Sequence, residues 1–291
     1  MPLTSTKPAR TAGLFPEGQE RRTPTVLKSL SNLFGLGSPV DGASAVGPAL
    51  PDGKRVYAIG DIHGRLDLFT QMIERIELDD AARGDAETLV ILLGDLVDRG
   101  PESAGVIRAA RDWQARRPVR ILMGNHEEMF LRALEDEGAL RHFLRVGGKE
   151  TVLSFGLERD DYRGLSMEEL HDRLVTLIPQ DDIAFVAGME DMVRLGDYVF
   201  VHAGVDPALP LDSQRRGDVR WIREPFLSHP QTMDVCVVHG HTIREQIDIH
   251  APGRGKSRWP NRIGIDTGAF RTGRLTAIGL QGTDRWFMEA S

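Results

Sequence analysis

Five short segments of this chain place polar, chemically capable side chains directly after a run of apolar residues. The segments are YAIGDIHG at 57–64, GDLVDRG at 94–100, RILMGNHEE at 120–128, YVFVHAG at 198–204 and VCVVHGHT at 235–242. Their polar residues are Asp61, His63, Asp95, Asp98, Arg99, Asn125, His126, His202, His239 and His241. Carboxylate, imidazole and amide donors suit manganese, iron, zinc or magnesium better than a thiolate-loving ion. The pattern predicts a site for divalent cations.

The spacing within the segments supports a metal site. Asp61 and His63 are two residues apart in a glycine-flanked turn, so both side chains can face one ion. The two carboxylate oxygens of Asp95 can bridge two ions, and the uncharged amide of Asn125 would leave a metal electrophilic. Each motif alone is weak, but five in succession are hard to attribute to chance. We expect His239 to be a buried neighbour of the site and Asp266 to support the fold around it.

The residues between these segments predict an α/β fold. Short apolar runs at 55–60 and 88–94 indicate buried strands, and apolar residues at helical spacing indicate helices over 66–78 and 102–117. A third strand at 119–123 completes β-α-β-α-β, which implies a parallel sheet covered by helices. In such a sheet, ligands bind beyond the carboxyl ends of the strands.

The second half of the chain has a different pattern. Residues 127–196 are mainly helical in pattern, and four further strands follow at 198–204, 235–240, 262–268 and 273–280. The last two of these strands, with Gly268 and Gly273 between them, predict an antiparallel hairpin.

The N-terminal residues 1–53 differ from the rest in composition. They are rich in Pro, Gly, Ser and Thr, which predicts a largely disordered tail before a single domain at 54–291. The stretch 25–37 could form a short amphipathic helix that contacts a partner or a membrane surface. Deletion of residues 1–53 is expected to leave the thermal midpoint nearly unchanged.

Composition limits the partners and the compartment. The 291 residues include 36 Lys+Arg and 43 Asp+Glu, a net charge of −7, which argues against nucleic acid as the main partner. The single cysteine, Cys236, lies in an apolar run and is expected in the core. Because the sequence shows no transmembrane run and no signal-peptide pattern, the predicted location is the cytoplasm.

The ordered motifs resemble a known family. GDIHG, GDLVDRG and GNHEE, followed by VHAG and VHGHT, are similar to the phosphoprotein phosphatases within the calcineurin-like metallophosphoesterases. The resemblance is strongest to the bacterial and phage serine/threonine phosphatases and covers most of residues 55–280, but residues 130–195 match only loosely. It implies an α/β fold with a metallophosphoesterase-like central β-sandwich flanked by helices, with a helical insertion at 127–196.

The resemblance also implies a two-metal site. The implied ligands are Asp61 and His63 for the first ion, Asp95 as the bridge, and Asn125, His202 and His241 for the second ion. Manganese is the first expectation for both ions, with iron, zinc, magnesium and nickel as alternatives. A hydroxide held between two such ions would attack a phosphate ester directly, so that no covalent enzyme intermediate is needed.

Four further residues receive roles from the resemblance. Arg99 would present its planar guanidinium to phosphate oxygens. His126 would protonate the leaving alkoxide as the general acid, with Asp98 as its orienting partner. A second phosphate-binding arginine is expected in RWIREPF, where Arg223 is preferred to Arg220 because the family segment resembles WIRE.

The predicted function is a metal-dependent phosphomonoesterase, in particular a protein serine/threonine phosphatase that acts on phosphoproteins or phosphopeptides. One alternative is a symmetrical diadenosine tetraphosphate hydrolase, whose members usually depart from VDRG and carry GNHD where this chain has Glu127. The other alternative is a catalytically dead scaffold that binds phosphoproteins, which would be expected to lack at least one ligand. The sequence gives no prediction of the oligomeric state.

Overall fold

A computed structural model describes residues 47–251 and 260–291 of the chain. Its first part alternates strands and helices. The elements are β1 (Lys54–Ile59), α1 (Leu66–Ala82), β2 (Glu87–Leu92), α2 (Ser103–Gln114) and β3 (Val119–Ile121). The strands β1, β2 and β3 are parallel neighbours, as the β-α-β-α-β pattern predicts.

A group of helices follows and fills most of residues 127–196. It comprises α3 (Asn125–Glu135), α4 (Glu137–Phe143), a π-helical turn (Leu144–Gly148), α5 (Lys149–Ser154), α6 (Arg159–Gly164), α7 (Met167–Leu177) and α8 (Gln180–Ala187). The predicted insertion also contains a short strand, β4 (Met192–Leu195), which belongs to the second sheet. Within the described residues, none of the helices has the length and apolar content that crossing a membrane would need.

The remaining elements build the second sheet and complete the first. They are β5 (Tyr198–Val201), a 3₁₀ turn (Leu211–Ser213), α9 (Arg216–Trp221), β6 (Cys236–His239), β7 (Asp248–His250), β8 (Arg262–Gly264), α10 (Ala269–Thr272), β9 (Leu275–Gln281) and β10 (Asp284–Ala290). The strand orders are β10-β9-β1-β2-β3 and β4-β5-β6-β8-β7. In each sheet three parallel strands lie together, so their carboxyl ends open on one edge.

The two sheets pack face to face around one of the hydrophobic clusters. Val56, Ile91 and Ile278 from the first sheet meet Phe200 and Val238 from the second, and all five are fully buried. The opposite face of the first sheet is covered by helices α1 and α2 and by the helical insertion. The expected central β-sandwich flanked by helices is therefore confirmed.

The C-terminal strands differ from the predicted hairpin. Strand β8 lies in the second sheet and β9 in the first, because α10 carries the chain from one sheet to the other. The observed hairpin joins β9 to β10 through residues 282–283. Sequence reasoning missed β10 because this edge strand, DRWFMEA, combines charged with apolar residues, is partly exposed and has no continuous apolar run.

Residues 47–53 belong to the domain, although composition grouped them with the tail. Leu50 is only 3% exposed and packs in the cluster between the sheets. Its backbone N–H donates to the carbonyl of Gly282 at 2.9 Å, and the Tyr198 hydroxyl donates to the carbonyl of Pro48 at 3.2 Å. The predicted disorder of the tail and the amphipathic stretch 25–37 concern residues 1–46, which lie outside the described part.

The packing of Leu50 revises the expectation that residues 1–53 are dispensable for stability. We predict that Leu50→Ala will lower the free energy of unfolding by about 2–5 kcal/mol, the usual cost of truncating a buried leucine. Urea denaturation would measure the change. Leu78→Ala is the matched control, because Leu78 is 74% exposed and its truncation should change stability by less than about 0.5 kcal/mol. Equal effects of the two substitutions would contradict this account.

Candidate metal centre

The carboxyl ends of six parallel strands bring the predicted site residues together. Asp61 and His63 follow β1, Asp95 to Arg99 follow β2, and Asn125 and His126 begin α3 after β3. In the second sheet, His202 follows β5, His241 follows β6 and Asp266 follows β8. All of these side chains are buried except Arg99, which is half-buried.

Asp95 lies at the centre of two groups of donor atoms. One group is Asp95 with His63 and His126, and the other is Asp95 with His202 and His241; within each group the donor atoms lie within 4.8 Å of one another. Asp95 Oδ2 is 3.5 Å from His63 Nε2, and Asp95 Oδ1 is 3.4 Å from His202 Nε2. A carboxylate with one oxygen in each group has the placement of a bridging ligand.

Hydrogen bonds at the far side of two imidazoles prepare them to bind a cation. His63 Nδ1 donates to the carbonyl of Val97 and His202 Nδ1 donates to the carbonyl of Leu93, both at 2.8 Å. Each ring therefore turns an Nε2 lone pair towards Asp95. Metal-binding histidines in proteins are commonly held in this way, with the second nitrogen bonded to a carbonyl or carboxylate.

Beside the second group, the amide oxygen of Asn125 faces a ring nitrogen of His202 with no proton between them. Asn125 Oδ1 lies 3.0 Å from His202 Nε2, and both atoms are acceptors once His202 Nδ1 carries the ring proton. His241 Nδ1 is 2.8 Å from the same amide oxygen, and His241 Nε2 is buried with no partner among the described residues. Converging lone pairs are stabilised by a cation, so these residues fit a divalent metal ion.

Burial keeps the imidazoles in the neutral form that metals require. Desolvation lowers the pKa of His63 and of His241 to about 3, and it lowers the pKa of His202 as well. Burial opposes ionisation of Asp95, but the surrounding histidines outweigh it and hold the pKa of this carboxyl below its usual range. Near neutral pH the cluster offers neutral imidazoles around a carboxylate, the protonation states of metal ligands.

Asp61 packs against the loop that carries His241. Both of its carboxylate oxygens accept from the backbone N–H of His241 at 3.1 Å. A Cβ on Gly240 would stand 2.0 Å from Asp61 Oδ1, which explains why the HGH motif has glycine at its centre. Burial raises the pKa of Asp61, with neighbouring Asp266 and Asp95 adding to the effect, and a cation beside these carboxylates would offset it.

Backbone strain is concentrated in this cluster. Among the described residues, the non-glycine positions with left-handed φ are His63, Asp95, Asp98, Arg99 and His241. All five are motif residues. Left-handed φ costs free energy for residues with a side chain, and such positions gather at functional sites where the surrounding structure enforces them.

Asp98 and Arg99 form a connected unit with His126 of the first donor group. His126 Nδ1 lies 2.6 Å from Asp98 Oδ2. The guanidinium of Arg99 reaches His63 Nε2 at 2.8 Å and His126 Nε2 at 2.9 Å. Burial opposes protonation of His126, but Asp95 and Asp98 outweigh it, so the pKa of His126 is raised.

Glu127 holds the loop that carries Asp95, a role that sequence reasoning missed. Its side chain is fully buried and accepts from the backbone N–H groups of Asp95 at 2.8 Å and of Leu96 at 2.7 Å. It also accepts from Gly124 N at 3.0 Å, as the third residue of a helix reaching back to its own N-terminus. Burial and Asp95 raise the pKa of Glu127 to about 7.

The two candidate arginines in RWIREPF have different surroundings. Arg220 is bound to Asp191 at 2.8 Å and to Glu128 at 3.4 Å. Arg223 is exposed and makes no ion pair within the described part of the chain, while its charge contributes to lowering the pKa of both His202 and His241. Arg223 is therefore the arginine that remains available near the cluster.

Two other predicted side chains take structural positions. His239 is buried against the ring of Phe226, with ring centroids 5.2 Å apart, and burial lowers its pKa to about 4. Cys236 is fully buried between the sheets, where burial raises the pKa of its thiol to about 12.

Sequence reasoning also missed Phe270, an aromatic residue that adjoins the cluster. Its ring lies edge-to-face with His63 at a centroid distance of 5.4 Å and stands 4.8 Å from the Arg99 guanidinium carbon. Phe270 comes from α10, and no motif marks it.

The fold and the cluster together define a metallophosphoesterase. A family model for calcineurin-like phosphoesterases matches residues 54–267, and the chain belongs to that family. A solved structure provisionally assigned as a diadenosine tetraphosphatase superposes with a TM-score of 0.54 at 22% identity, covering 82% of this chain and 95% of that one. At this identity the superposition supports the fold.

Relatives with two kinds of name are similar to the chain. Serine/threonine-protein phosphatase 1 of Salmonella typhimurium is 25% identical over 78% of this chain and 93% of its own length. A symmetrical bis(5′-nucleosyl)-tetraphosphatase of Delftia acidovorans is 42% identical over 52% of this chain and 45% of its own length. Shewanella-like protein phosphatase 2 of Arabidopsis thaliana is 28% identical over 52% of this chain; the match spans 46% of that protein.

Proposed function

We propose that this metallophosphoesterase is a protein serine/threonine phosphatase that hydrolyses phosphomonoesters in phosphoproteins or phosphopeptides. The observation that carries the proposal is the His126–Asp98 pair, joined at 2.6 Å within the cluster. A serine or threonine alkoxide is a poor leaving group, so its departure needs a proton. A buried imidazole whose pKa is raised suits that task near neutral pH.

The phosphate would be bound by arginine. The planar guanidinium of Arg99 already points at the two imidazoles of the first donor group, and its fork of donors matches phosphate oxygens. Arg223 is proposed as the second phosphate contact because Arg220 is engaged by Asp191 and Glu128.

The metal ions would be held by the six residues named from the sequence. These are Asp61, His63, Asp95, Asn125, His202 and His241, with Asp95 shared between the ions. Bound divalent cations supply Lewis acidity, which lowers the pKa of water and neutralises charge on the phosphoryl group. Manganese is the first metal to test. The complete set of ligands also supports an active enzyme over a catalytically dead scaffold.

A second candidate is symmetrical dinucleoside tetraphosphate hydrolysis. Phe270 favours it, because an aromatic ring beside the phosphate-binding arginine could stack on a base. The His126–Asp98 pair argues against it, because a nucleoside diphosphate is a good leaving group and departs without a proton from a general acid. Glu127, which differs from the usual GNHD pattern, clamps backbone N–H groups and therefore contributes little to the choice of substrate.

The substrate proposal predicts a clear preference. With manganese present, phosphoserine and phosphothreonine peptides should be hydrolysed with a higher kcat/KM than diadenosine tetraphosphate. Phosphotyrosine peptides should be hydrolysed less well than phosphoserine or phosphothreonine peptides. Discrimination between peptides should be weak, because most binding energy would come from the common phosphate. The measurement is kcat/KM for all substrates under one metal condition.

The alternative outcome is equally specific. A tenfold or greater preference for the dinucleotide would replace the protein-phosphatase proposal with the tetraphosphatase one. Phe270→Leu provides a control within the same experiment, because it keeps an apolar side chain but removes the stacking surface. If activity on the dinucleotide falls selectively in this variant, the aromatic ring serves base recognition.

A further inference from the structure

Asp98 depends on a residue of the helical insertion for its orientation. The side chain of Asp98 is fully buried, and each of its oxygens has one hydrogen-bond partner. Oδ2 pairs with His126 Nδ1, and Oδ1 accepts from the hydroxyl of Thr151, both at 2.6 Å. Thr151 lies on α5 and is itself fully buried.

The hydrogen-bond partners of Thr151 fix the direction in which its hydroxyl donates. The backbone N–H of Asp98 is shared between Thr151 Oγ1 at 2.9 Å and Ser103 Oγ at 3.0 Å, and the two hydroxyl oxygens lie 2.9 Å apart. A hydroxyl has one proton and two lone pairs. Because Asp98 Oδ1 can only accept, the Thr151 proton goes to it, and Ser103 donates to Thr151. Every donor and acceptor position of the hydroxyl is then used.

The helical insertion also holds Arg99, the residue after Asp98. The backbone N–H of Arg99 donates to the carbonyl of Gly147 at 3.1 Å, four residues before Thr151. Gly147 has a φ of 124°, and a Cβ there would stand 2.7 Å from Arg99 Cγ, so glycine is required at this contact. Two consecutive left-handed residues of the motif are therefore held in place by residues 147–151.

We propose that Thr151 is a positioning residue for proton transfer: its hydroxyl fixes the carboxylate of Asp98, which in turn fixes the imidazole of His126. The inference rests on the proposed role of His126 as general acid. Without this hydroxyl, Asp98 Oδ1 would be buried with no donor, and the carboxylate would turn to find one. Small displacements of a catalytic group can reduce rates by about 10²-fold.

The test compares Thr151→Ala with Thr151→Ser. Both substitutions delete the methyl group, but only alanine deletes the hydroxyl. With a phosphoserine peptide, alanine should lower kcat by about 10–10²-fold with little change in KM, whereas serine should stay within about threefold of the parent protein. With para-nitrophenyl phosphate, whose leaving group needs little protonation, alanine should cost much less.

Structural effects are separated by further measurements. Metal content should be the same for the alanine and serine variants. The thermal midpoint of the alanine variant should be lower, because a buried oxygen without its donor is destabilising, so the kinetics are measured well below both midpoints. Thr176→Ala is the control, since its hydroxyl is exposed and bonds only to carbonyls of its own helix. If Thr151→Ala does not fold, Thr151→Val, which retains the volume of the side chain, takes its place against Thr151→Ser.

The outcomes distinguish this inference from the proposed function. Asp98→Asn is assayed on the same two substrates. If Asp98→Asn loses activity mainly on the peptide but the hydroxyl-lacking Thr151 variant equals Thr151→Ser, the role of Thr151 is overturned. If Asp98→Asn loses equal activity on both substrates, the general-acid proposal itself fails, and the inference fails with it.

Discussion

Asp95→Asn should abolish hydrolysis and reduce the metal content of the purified protein. Asp95 has one carboxylate oxygen near His63 and the other near His202, so it is the only residue common to both donor groups. An amide at this position loses the negative charge and one of the two oxygen donors. Stabilisation by metal ions is worth several kcal/mol, so we expect kcat to fall by about 10³-fold or more.

Metal analysis and activity should be measured on the same preparations. The parent protein should contain two divalent ions per chain, and Asp95→Asn should contain fewer. Asp172→Asn is the matched control, because Asp172 is an exposed aspartate on the helical insertion. A fully active parent preparation with no more than one ion per chain would refute the two-metal proposal.

The sequence predicts the central fold well because continuous apolar runs mark buried parallel strands. Strands β1, β2, β5 and β6 all lie where such runs occur. Elements that lack this signal were missed or misassigned. β10 is a charged edge strand, and β8 and β9 are separated by a crossing between sheets that local sequence cannot distinguish from a hairpin turn.

The same distinction applies to the site. Motif residues at strand ends can be found from sequence because topology brings those ends to one edge. Thr151 and Phe270 have no such mark: each comes from a short helix far along the chain from the residue that it contacts. The positions of these two side chains depend on how the insertion and α10 pack against the sheets, and local sequence does not encode that packing. Glu127 was visible in GNHEE, but its contacts with backbone N–H groups were not.

The second large effect is expected at the proposed general acid. His126→Asn should lower kcat on a phosphoserine peptide by about 10²–10⁴-fold, the usual contribution of general acid–base catalysis. Asparagine can still donate to Asp98 from its amide nitrogen, so the buried carboxylate keeps a partner. It cannot deliver a proton to a leaving alkoxide at neutral pH. Because His126 is not one of the six proposed metal ligands, the metal content should remain close to that of the parent protein.

The leaving group decides whether this interpretation is right. On para-nitrophenyl phosphate the loss should be much smaller, because para-nitrophenolate departs without prior protonation. His142→Asn is the matched control, since His142 is an exposed histidine on α4. If His126→Asn loses the same factor on both substrates, His126 contributes through the metal site or the phosphate contact instead. Asp98 would then only hold the buried imidazole of His126 in place and would have no part in proton transfer.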